Sequence, residues 1–182
     1  MRKLRVFESI SVDGYFTDVN GDISWAHAGR EDAEFSDWVS GNASLGGELL
    51  FGRKTYQMME AFWPTPMAAQ QMPAVAKGMN AARKYVASRT VQPTWNNTHL
   101  LKGDLVKAVE NLKASDGPDI TVLGSGSVAA QLGEAGLVDE YQFVILPVAL
   151  GAGRTVFTKS RKLRLLCQRA FRCGNVVVTY AS

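Results

Sequence analysis

The chain has 182 residues, of which 46% are apolar and 20% are charged, and its 20 basic and 17 acidic side chains leave a formal net charge of +3. This size supports one well-buried core, and so mild a charge gives no reason to expect a nucleic-acid partner. No apolar run approaches the length of a membrane span, and residues 1–7 have the pattern of a strand rather than a signal peptide. A cytoplasmic protein without membrane contact is therefore expected.

The predicted elements alternate between strands and helices. In chain order they are a strand at residues 4–10, a loop from 11 to about 25, a helix at 30–40, a strand at 48–51, a helix at 54–62, strands at 84–87 and 98–101, a helix at 104–114, a strand at 119–123, a helix at 128–135, a strand at 140–146 and a terminal strand pair at 163–167 and 175–180. This order predicts an α/β fold with a mostly parallel sheet flanked by helices and an antiparallel edge. Because no repeat or linker-like stretch interrupts these elements, residues 1–182 are expected to form a single domain.

A strand-to-helix junction follows the predicted strand at residues 48–51. Gly52 ends that strand, and Arg53, Lys54 and Thr55 begin the next helix. A helix N-terminus offers unpaired N–H groups and a partial positive charge, glycine permits close approach of a ligand, and the arginine and threonine side chains add donors for a phosphate. The segment predicts an anion site, although a turn glycine beside a surface arginine explains it about equally well when it is taken alone.

A second junction of the same kind consists of Gly124, Ser125, Gly126 and Ser127, after the predicted strand at 119–123. Ligands of open parallel sheets bind beyond the carboxyl ends of the strands, so the two junctions together indicate one phosphate-bearing ligand such as a dinucleotide. The run is not the GxGxxG fingerprint, and no acidic residue follows it at the expected distance. A doubly wound NAD-binding protein is therefore the less favoured interpretation.

Candidate residues for the substrate lie at strand ends and helix ends. Asp13, at the turn after the first strand, is a candidate for donating a proton or orienting a substrate, whereas an Asp-Gly turn that bonds only its own backbone is the competing interpretation. Tyr15, Trp25 and Trp63 are candidates for an aromatic wall against a flat heterocycle, although such residues are also common in cores. The loop at residues 13–25 has the length of a lid over a substrate.

The cysteines and histidines suggest no metal chemistry. Cys167 and Cys173 lie in an apolar strand region that is expected to be buried, and they are expected to be reduced core or surface thiols without the spacing of metal ligands. His27 and His99 stand alone in the sequence, so no metal site is predicted.

Five segments, in a recognisable order, carry a family resemblance. They are residues 11–15, 51–56, 84–90, 124–127, and 137–141 continuing to Pro147, Gly151 and Gly153. On these segments the chain resembles the dihydrofolate reductase-like superfamily, and most closely the reductase domain of bacterial riboflavin biosynthesis, over nearly its entire length.

The resemblance implies a three-layer dihydrofolate reductase-like fold with NADPH as the cofactor. It implies that residues 52–55 and 124–127 contact the cofactor phosphates. It also implies that Ser88, Arg89 and Thr90 bind the ribose 2′-phosphate, which suits their chemistry because this group needs a cation and hydroxyl donors. A homodimer is expected on the same ground, with the apolar run at 143–150 and the terminal strands as its contact.

The predicted function is that of an NADPH-dependent reductase. Its substrate is expected to be a small molecule, pterin-like or pyrimidine-like, that accepts a hydride from the cofactor. Because the cofactor carries this chemistry, the protein needs mainly to align the two rings and exclude water. The alternative is a nucleotide-binding or regulatory module that keeps the reductase fold without turnover.

Overall fold

The structure is a computed structural model that describes residues 1–43 and 46–182. Its strands are β1 (Leu4–Ser11), β2 (Tyr15–Thr17), β3 (Glu48–Gly52), β4 (Lys84–Ala87), β5 (Thr98–Leu101), β6 (Ile120–Leu123), β7 (Glu140–Leu146), β8 (Arg154–Thr155), β9 (Arg164–Ala170) and β10 (Val176–Ala181). Its α-helices are α1 (Ala33–Ala43), α2 (Arg53–Phe62), α3 (Pro66–Gln71), α4 (Pro73–Ala81), α5 (Leu105–Ala114) and α6 (Gly126–Glu134), with a 3-10 turn at Ser24–His27.

Eight of the strands form one sheet in the order β5-β4-β3-β6-β1-β7-β10-β9. The strands from β5 to β7 run parallel to one another, whereas β10 is antiparallel to both β7 and β9. This arrangement confirms the predicted fold class, a mostly parallel mixed sheet flanked by helices with an antiparallel edge at the end of the chain. The carboxyl ends of the six parallel strands lie along one edge of the sheet.

The two faces of the sheet are covered by different helices. On β1, Leu4 and Val6 are fully buried in a cluster that includes Leu132 of α6. Phe7 points to the other face, where its ring is stacked 6.2 Å from that of Trp38 in α1. Alternate residues of a central strand thus enter separate cores, which fixes the register of β1 because a slip of one residue would exchange the two faces.

Two helices between β3 and β4 were missed by the sequence prediction. The prolines after α2 indicated a helix end, but Pro66 and Pro73 also occupy the first turns of α3 and α4, where proline is tolerated because the N–H there has no intrahelical partner. Thr65 caps α3, its hydroxyl accepting a hydrogen bond from the N–H of Ala68 at 3.2 Å.

The segment predicted as a loop at residues 11–25 contains the short strand β2, which pairs antiparallel with β8. Neither strand is long enough to show a periodicity in the sequence. The pairing ties part of the expected lid to the segment after β7.

The expectation of a buried strand region was wrong around Cys167, which is a surface thiol. It lies on β9, whose residues are all exposed, while Cys173 is half-buried, and both are free thiols. The apolar letters around Cys167 suggested a core strand, but β9 forms the outer edge of the sheet.

Candidate functional site

Four of the predicted segments meet at the carboxyl edge of the sheet. Gly52 pairs in register with Ala87, which places residues 88–90 beside residues 52–55. On the other side β6 lies between β3 and β1, so residues 124–127 and then residues 11–15 follow along the same edge. We call these four segments together the strand-end crevice. The structure thus brings together segments that are far apart in the sequence.

The two glycine junctions are in direct contact. The N–H of Gly52 donates a hydrogen bond to Oγ of Ser125 at 2.9 Å, and this hydroxyl in turn donates to the carbonyl of Leu123 at 3.2 Å. Gly124 has a φ of +56°, and a Cβ built on it would lie 3.2 Å from Cγ2 of Thr55. The close approach of the two junctions therefore requires a residue without a side chain at Gly124.

Both helices that begin at the crevice point their N-termini into it. Gly52 is the N-cap of α2 and Ser125, with a φ of 62°, is the N-cap of α6, and neither cap residue makes a side-chain capping hydrogen bond. The first-turn N–H groups of such helices lack intrahelical acceptors, and the helix dipoles add partial positive charge. Two helix N-termini side by side are well suited to a pyrophosphate or a similar anion.

Arg154, on β8, adds a cation that sequence reasoning missed. Its guanidinium donates to Oγ of Ser127 at 2.6 Å and lies 5.6 Å from the ring centroid of Phe16. Gly126 makes room for that ring, since a Cβ at Gly126 would lie 2.4 Å from it. The only signal in the sequence was the position of Arg154 directly after Gly153, one of the glycines that carried the family resemblance.

The segment after β4 presents an exposed arginine. Oγ of Ser88 accepts hydrogen bonds from the N–H groups of Thr90 at 3.2 Å and Val91 at 3.1 Å, which closes a turn around Arg89. Arg89 is exposed, and the structure shows no hydrogen bond or ion pair of its guanidinium within residues 1–43 and 46–182. Arg53 and Lys54, at the start of α2, are also exposed. These side chains leave the crevice lined by cations.

Asp13 clamps the turn after β1 to the segment after β7. Its carboxylate accepts hydrogen bonds from the hydroxyl of Ser11 at 2.6 Å, from the N–H of Gly151 at 2.7 Å and from the N–H of Leu150 at 3.1 Å. The bonds from Ser11 and Gly151 hold the pKa of the Asp13 carboxyl below its ordinary value. A carboxyl that is ionised at neutral pH is poorly suited to donate a proton, so this geometry favours a positioning role for Asp13.

The three aromatic candidates lie in different places. Tyr15 is half-buried on β2, and its N–H donates to Oγ of Ser11 at 2.9 Å, so it borders the crevice. Trp25 packs against the core cluster of Phe35 beneath α1. Trp63 follows the last residue of α2, about 15 Å of helix from the crevice. The structure thus places Trp25 and Trp63 in different hydrophobic clusters, with Trp63 at the far end of α2, and a substrate role for the three aromatic residues stays a prediction.

Glu8 is a second residue that sequence reasoning missed. Its side chain is only 8% exposed and enters the same face of the sheet as Leu4 and Val6. Burial raises the pKa of its carboxyl to about 8. The signal in the sequence was a single acidic residue at an inward position of an apolar strand.

Residues 1–43 and 46–182, which the structure describes, contain neither a metal-site cluster nor a membrane-spanning helix. No group of three or more histidine, cysteine, aspartate or glutamate side chains there has the arrangement of a metal site. No helix in the same part of the chain combines the length and the apolar character that a membrane span requires.

The eight-stranded mixed sheet with its antiparallel edge is the fold of the RibD-like reductases. Residues 2–179 match the family model described as the RibD C-terminal domain, and the chain belongs to this family. The family predicted from the sequence is thereby confirmed.

Individual relatives cover the chain from end to end. The uncharacterized protein YyaP of Bacillus subtilis (strain 168) is 26% identical over 98% of this chain and 94% of its own length. A crystal structure from Shewanella sp. PV-4, of a protein assigned to riboflavin biosynthesis, is 22% identical with a TM-score of 0.71 and covers 98% of both chains. A pyrimidine reductase-like protein of Corynebacterium diphtheriae is 13% identical with a TM-score of 0.62, covering 99% of this chain and 91% of its own.

Proposed function

We propose that the protein is an NADPH-dependent reductase that transfers a hydride to a small heterocyclic substrate, pyrimidine-like or pterin-like. The RibD C-terminal domain family suggests a reductase, and a structural relative is named pyrimidine reductase-like. The observation that carries the proposal is the pair of helix N-termini joined by the hydrogen bond between Gly52 and Ser125, with Arg89 on the neighbouring strand end.

Different residues of the crevice suit different phosphate groups of the cofactor. The N-termini of α2 and α6, with Arg53 and Arg154 beside them, suit the two phosphates of a dinucleotide. Arg89 follows β4, which is two strands away from β6 and hence about 10 Å along the edge. A free guanidinium at that distance suits the additional phosphate that distinguishes NADPH from NADH.

The chemistry divides between the cofactor and the chain. When NADPH is bound it supplies the hydride, and the protein positions the two reactants and keeps water away. Tyr15 borders the place where a substrate ring would lie. The clamp made by Asp13 holds the segment that leads to Arg154, and a catalytic role for Asp13 stays a prediction.

The test is a titration of NADPH and NADH followed by nicotinamide fluorescence, on the wild type, Arg89→Ala and Arg83→Ala. Arg83 is the matched control because it is an exposed arginine at the opposite end of β4. We expect the wild type and Arg83→Ala to prefer NADPH, and Arg89→Ala to lose about tenfold or more of that preference. Equal or tighter binding of NADH by the wild type would contradict the cofactor assignment.

Turnover distinguishes the reductase from a binding module. A panel of pyrimidine and pterin substrates, assayed by NADPH oxidation, is expected to contain at least one that is reduced. Binding of NADPH without oxidation across the panel would favour the non-catalytic alternative.

Pairing of two copies of the chain is a further part of the proposal. Phe143, Val144 and Leu146, within the run expected to form the contact, are buried in the core and are not available for it. Leu165 and Leu166 on the edge strand β9 are 51% and 42% exposed, so we place the contact there. Light scattering on the wild type and Leu165→Glu tests this, and a monomeric wild type at micromolar concentration would refute it.

A further inference from the structure

The carboxyl group of Glu8 lies at the floor of the strand-end crevice. Oε1 lies 3.9 Å from the position that a Cβ on Gly124 would take, and the same position is 3.2 Å from Cγ2 of Thr55. The Cβ position of Gly124 is thus close to both side chains, so the Glu8 carboxyl lies near the first turn of α2 and near the loop that leads into α6. Both of these segments belong to the proposed anion site.

One oxygen of this buried group has no hydrogen-bond partner. Oε1 accepts a bond from the N–H of Ser9 at 3.2 Å, whereas Oε2 is buried and has no partner among the described residues. Burying a polar atom without a hydrogen-bond partner is costly, so such atoms are usually completed by a ligand or a water. A buried, unpartnered oxygen beside two helix N-termini is therefore a candidate contact for a ligand of the crevice.

The groups around Glu8 do not compensate for a negative charge on it. Thr55 faces it from α2, Gly124 from the loop after β6, and Phe143 is its register partner on β7. The cations nearest to the crevice, Arg53 and Lys54 on α2 and Arg154 on β8, are all exposed. Burial is the main influence on the pKa of Glu8, and the only opposing one is the bond from Ser9.

We propose that Glu8 contacts a phosphate group of the bound nucleotide, its Oε2 donating a hydrogen bond to a phosphate oxygen. A protonated carboxyl can donate such a bond, whereas an ionised one would repel the phosphate. Each binding event then requires one proton on Glu8, taken up from solvent when the carboxyl is ionised. The inference rests on the proposed dinucleotide site, and it adds to that site a buried acidic group that makes binding depend on pH.

The linkage between protonation of Glu8 and binding of NADPH gives the sign and the size of the pH dependence. The free protein carries the proton below a pH of about 8, and each pH unit above that value weakens binding by close to another factor of ten. The dissociation constant for NADPH is therefore expected to rise about tenfold between pH 7 and pH 9. Glu8→Gln keeps an N–H donor of similar shape but cannot ionise, so its affinity is expected to stay constant over this range.

Lys84 titrates in the same range and must be separated from Glu8. Burial lowers the pKa of its amine to about 8, but Lys84 begins β4 at the opposite end from the crevice and donates to the carbonyl of Ala82 at 2.6 Å. Glu8→Gln retains this lysine. A pH dependence that is lost in Glu8→Gln therefore belongs to Glu8.

The experiment measures the dissociation constant of NADPH for the wild type and Glu8→Gln from about pH 7 to pH 9 at constant ionic strength. Calorimetry of the wild type in two buffers with different ionisation enthalpies gives the protons taken up on binding and does not depend on the variant folding. We expect uptake that increases over this range. Tight binding of NADPH without pH dependence or proton uptake would overturn the role of Glu8 and leave the reductase proposal intact.

Sulfate separates failure of this inference from failure of the proposed function. Its charge is constant in this range, and the amide resonances of Gly126 and Ser127 report its binding at the N-terminus of α6. One informative outcome is that NADPH does not bind, whereas sulfate binds with a pH dependence that is lost in Glu8→Gln. This outcome would contradict the assignment of a nucleotide ligand and would support a contact between Glu8 and a phosphate-like anion. If neither ligand binds, both proposals are overturned.

Discussion

The side chain of Ser125 holds the N-cap of another helix. Its hydroxyl oxygen accepts the N–H of Gly52 at 2.9 Å while its own backbone, at a φ of 62°, begins α6. One residue thereby sets the distance between the first turns of α2 and α6. The left-handed backbone of Ser125 is costly for a residue with a side chain, and the hydrogen bond from Gly52 offsets part of that cost.

Two variants of Ser125, both of which lose the side-chain hydroxyl, test whether this hydrogen bond stabilises the junction. Ser125→Ala and Ser125→Gly both remove the acceptor of the Gly52 N–H, at an expected cost of about 1–2 kcal/mol in the free energy of unfolding. Glycine also relieves the left-handed backbone, so Ser125→Gly should be the more stable of the two by roughly 0.5–1 kcal/mol. Urea unfolding measures both values. Equal stability of Ser125→Ala and the wild type would mean that the hydrogen bond does not hold the junction.

Gly126 is predicted to be intolerant of the smallest side chain. A Cβ there would lie 2.4 Å from the Phe16 ring, so Gly126→Ala is expected to destabilise the protein by about 1–3 kcal/mol as the ring or α6 shifts. Gly41→Ala is the matched control, because Gly41 lies in α1 and an added Cβ would have no atom of the described residues, 1–43 and 46–182, within 4 Å. That change should instead stabilise the helix by roughly 0.5–1 kcal/mol. A destabilisation of similar size in both variants would contradict the argument from packing.

Arg154 is predicted to strengthen the binding of the nucleotide. Arg154→Gln removes one cation at the N-terminus of α6 and should weaken NADPH binding about threefold to tenfold at low salt, with a smaller effect at high salt. Arg169→Gln is the control, since Arg169 is also exposed and also lies over an aromatic ring, at 4.9 Å from that of Phe171. An equal loss of affinity in the two variants would point to net charge rather than to a contact.

Asp13 is predicted to make the fold sensitive to acid. The pKa of its carboxyl is lower in the folded protein, so its contribution to stability is complete above the unfolded value of about 3.9 and is lost as the pH falls through the folded value. Asp13→Asn should therefore be less stable than the wild type at pH 7, and the difference should shrink as the pH falls below about 4. Thermal unfolding across this range measures the difference. Equal stability of Asp13→Asn and the wild type at pH 7 would contradict the clamp.

The sequence revealed those features of the site that depend on backbone patterns. Strand ends followed by glycine and a helix start are local, so residues 52–55 and 124–127 could be predicted, and parallel strands bring such ends together at one edge. The role of Arg154 could not be predicted, because it depends on β8, a two-residue strand that pairs only with β2. The location of Trp63 could not be predicted either, because a proline break indicates a helix end but not which edge of the sheet that end lies on.

Glu8 shows a different limit of sequence analysis. Its position on the strand indicates the inward face, but only the place of β1 between β6 and β7 shows that its side chain is enclosed. Periodicity indicates which face a residue occupies, whereas the environment of that face is set by elements more than a hundred residues further along the chain.

The position of β6 between β3 and β1 determines when the crevice can form during synthesis and folding. Until residues 120–123 are in place, β1 and β3 have no shared neighbour, and no partly synthesised chain that stops before them can form the crevice. Pairings across such long separations carry a loop-closure entropy cost and slow the folding of a chain. A ligand of the crevice would thus bind only to chains in which the sheet is complete. Proteolysis between β4 and β6, followed by dissociation of the two fragments, would abolish binding although every residue of the site is still present.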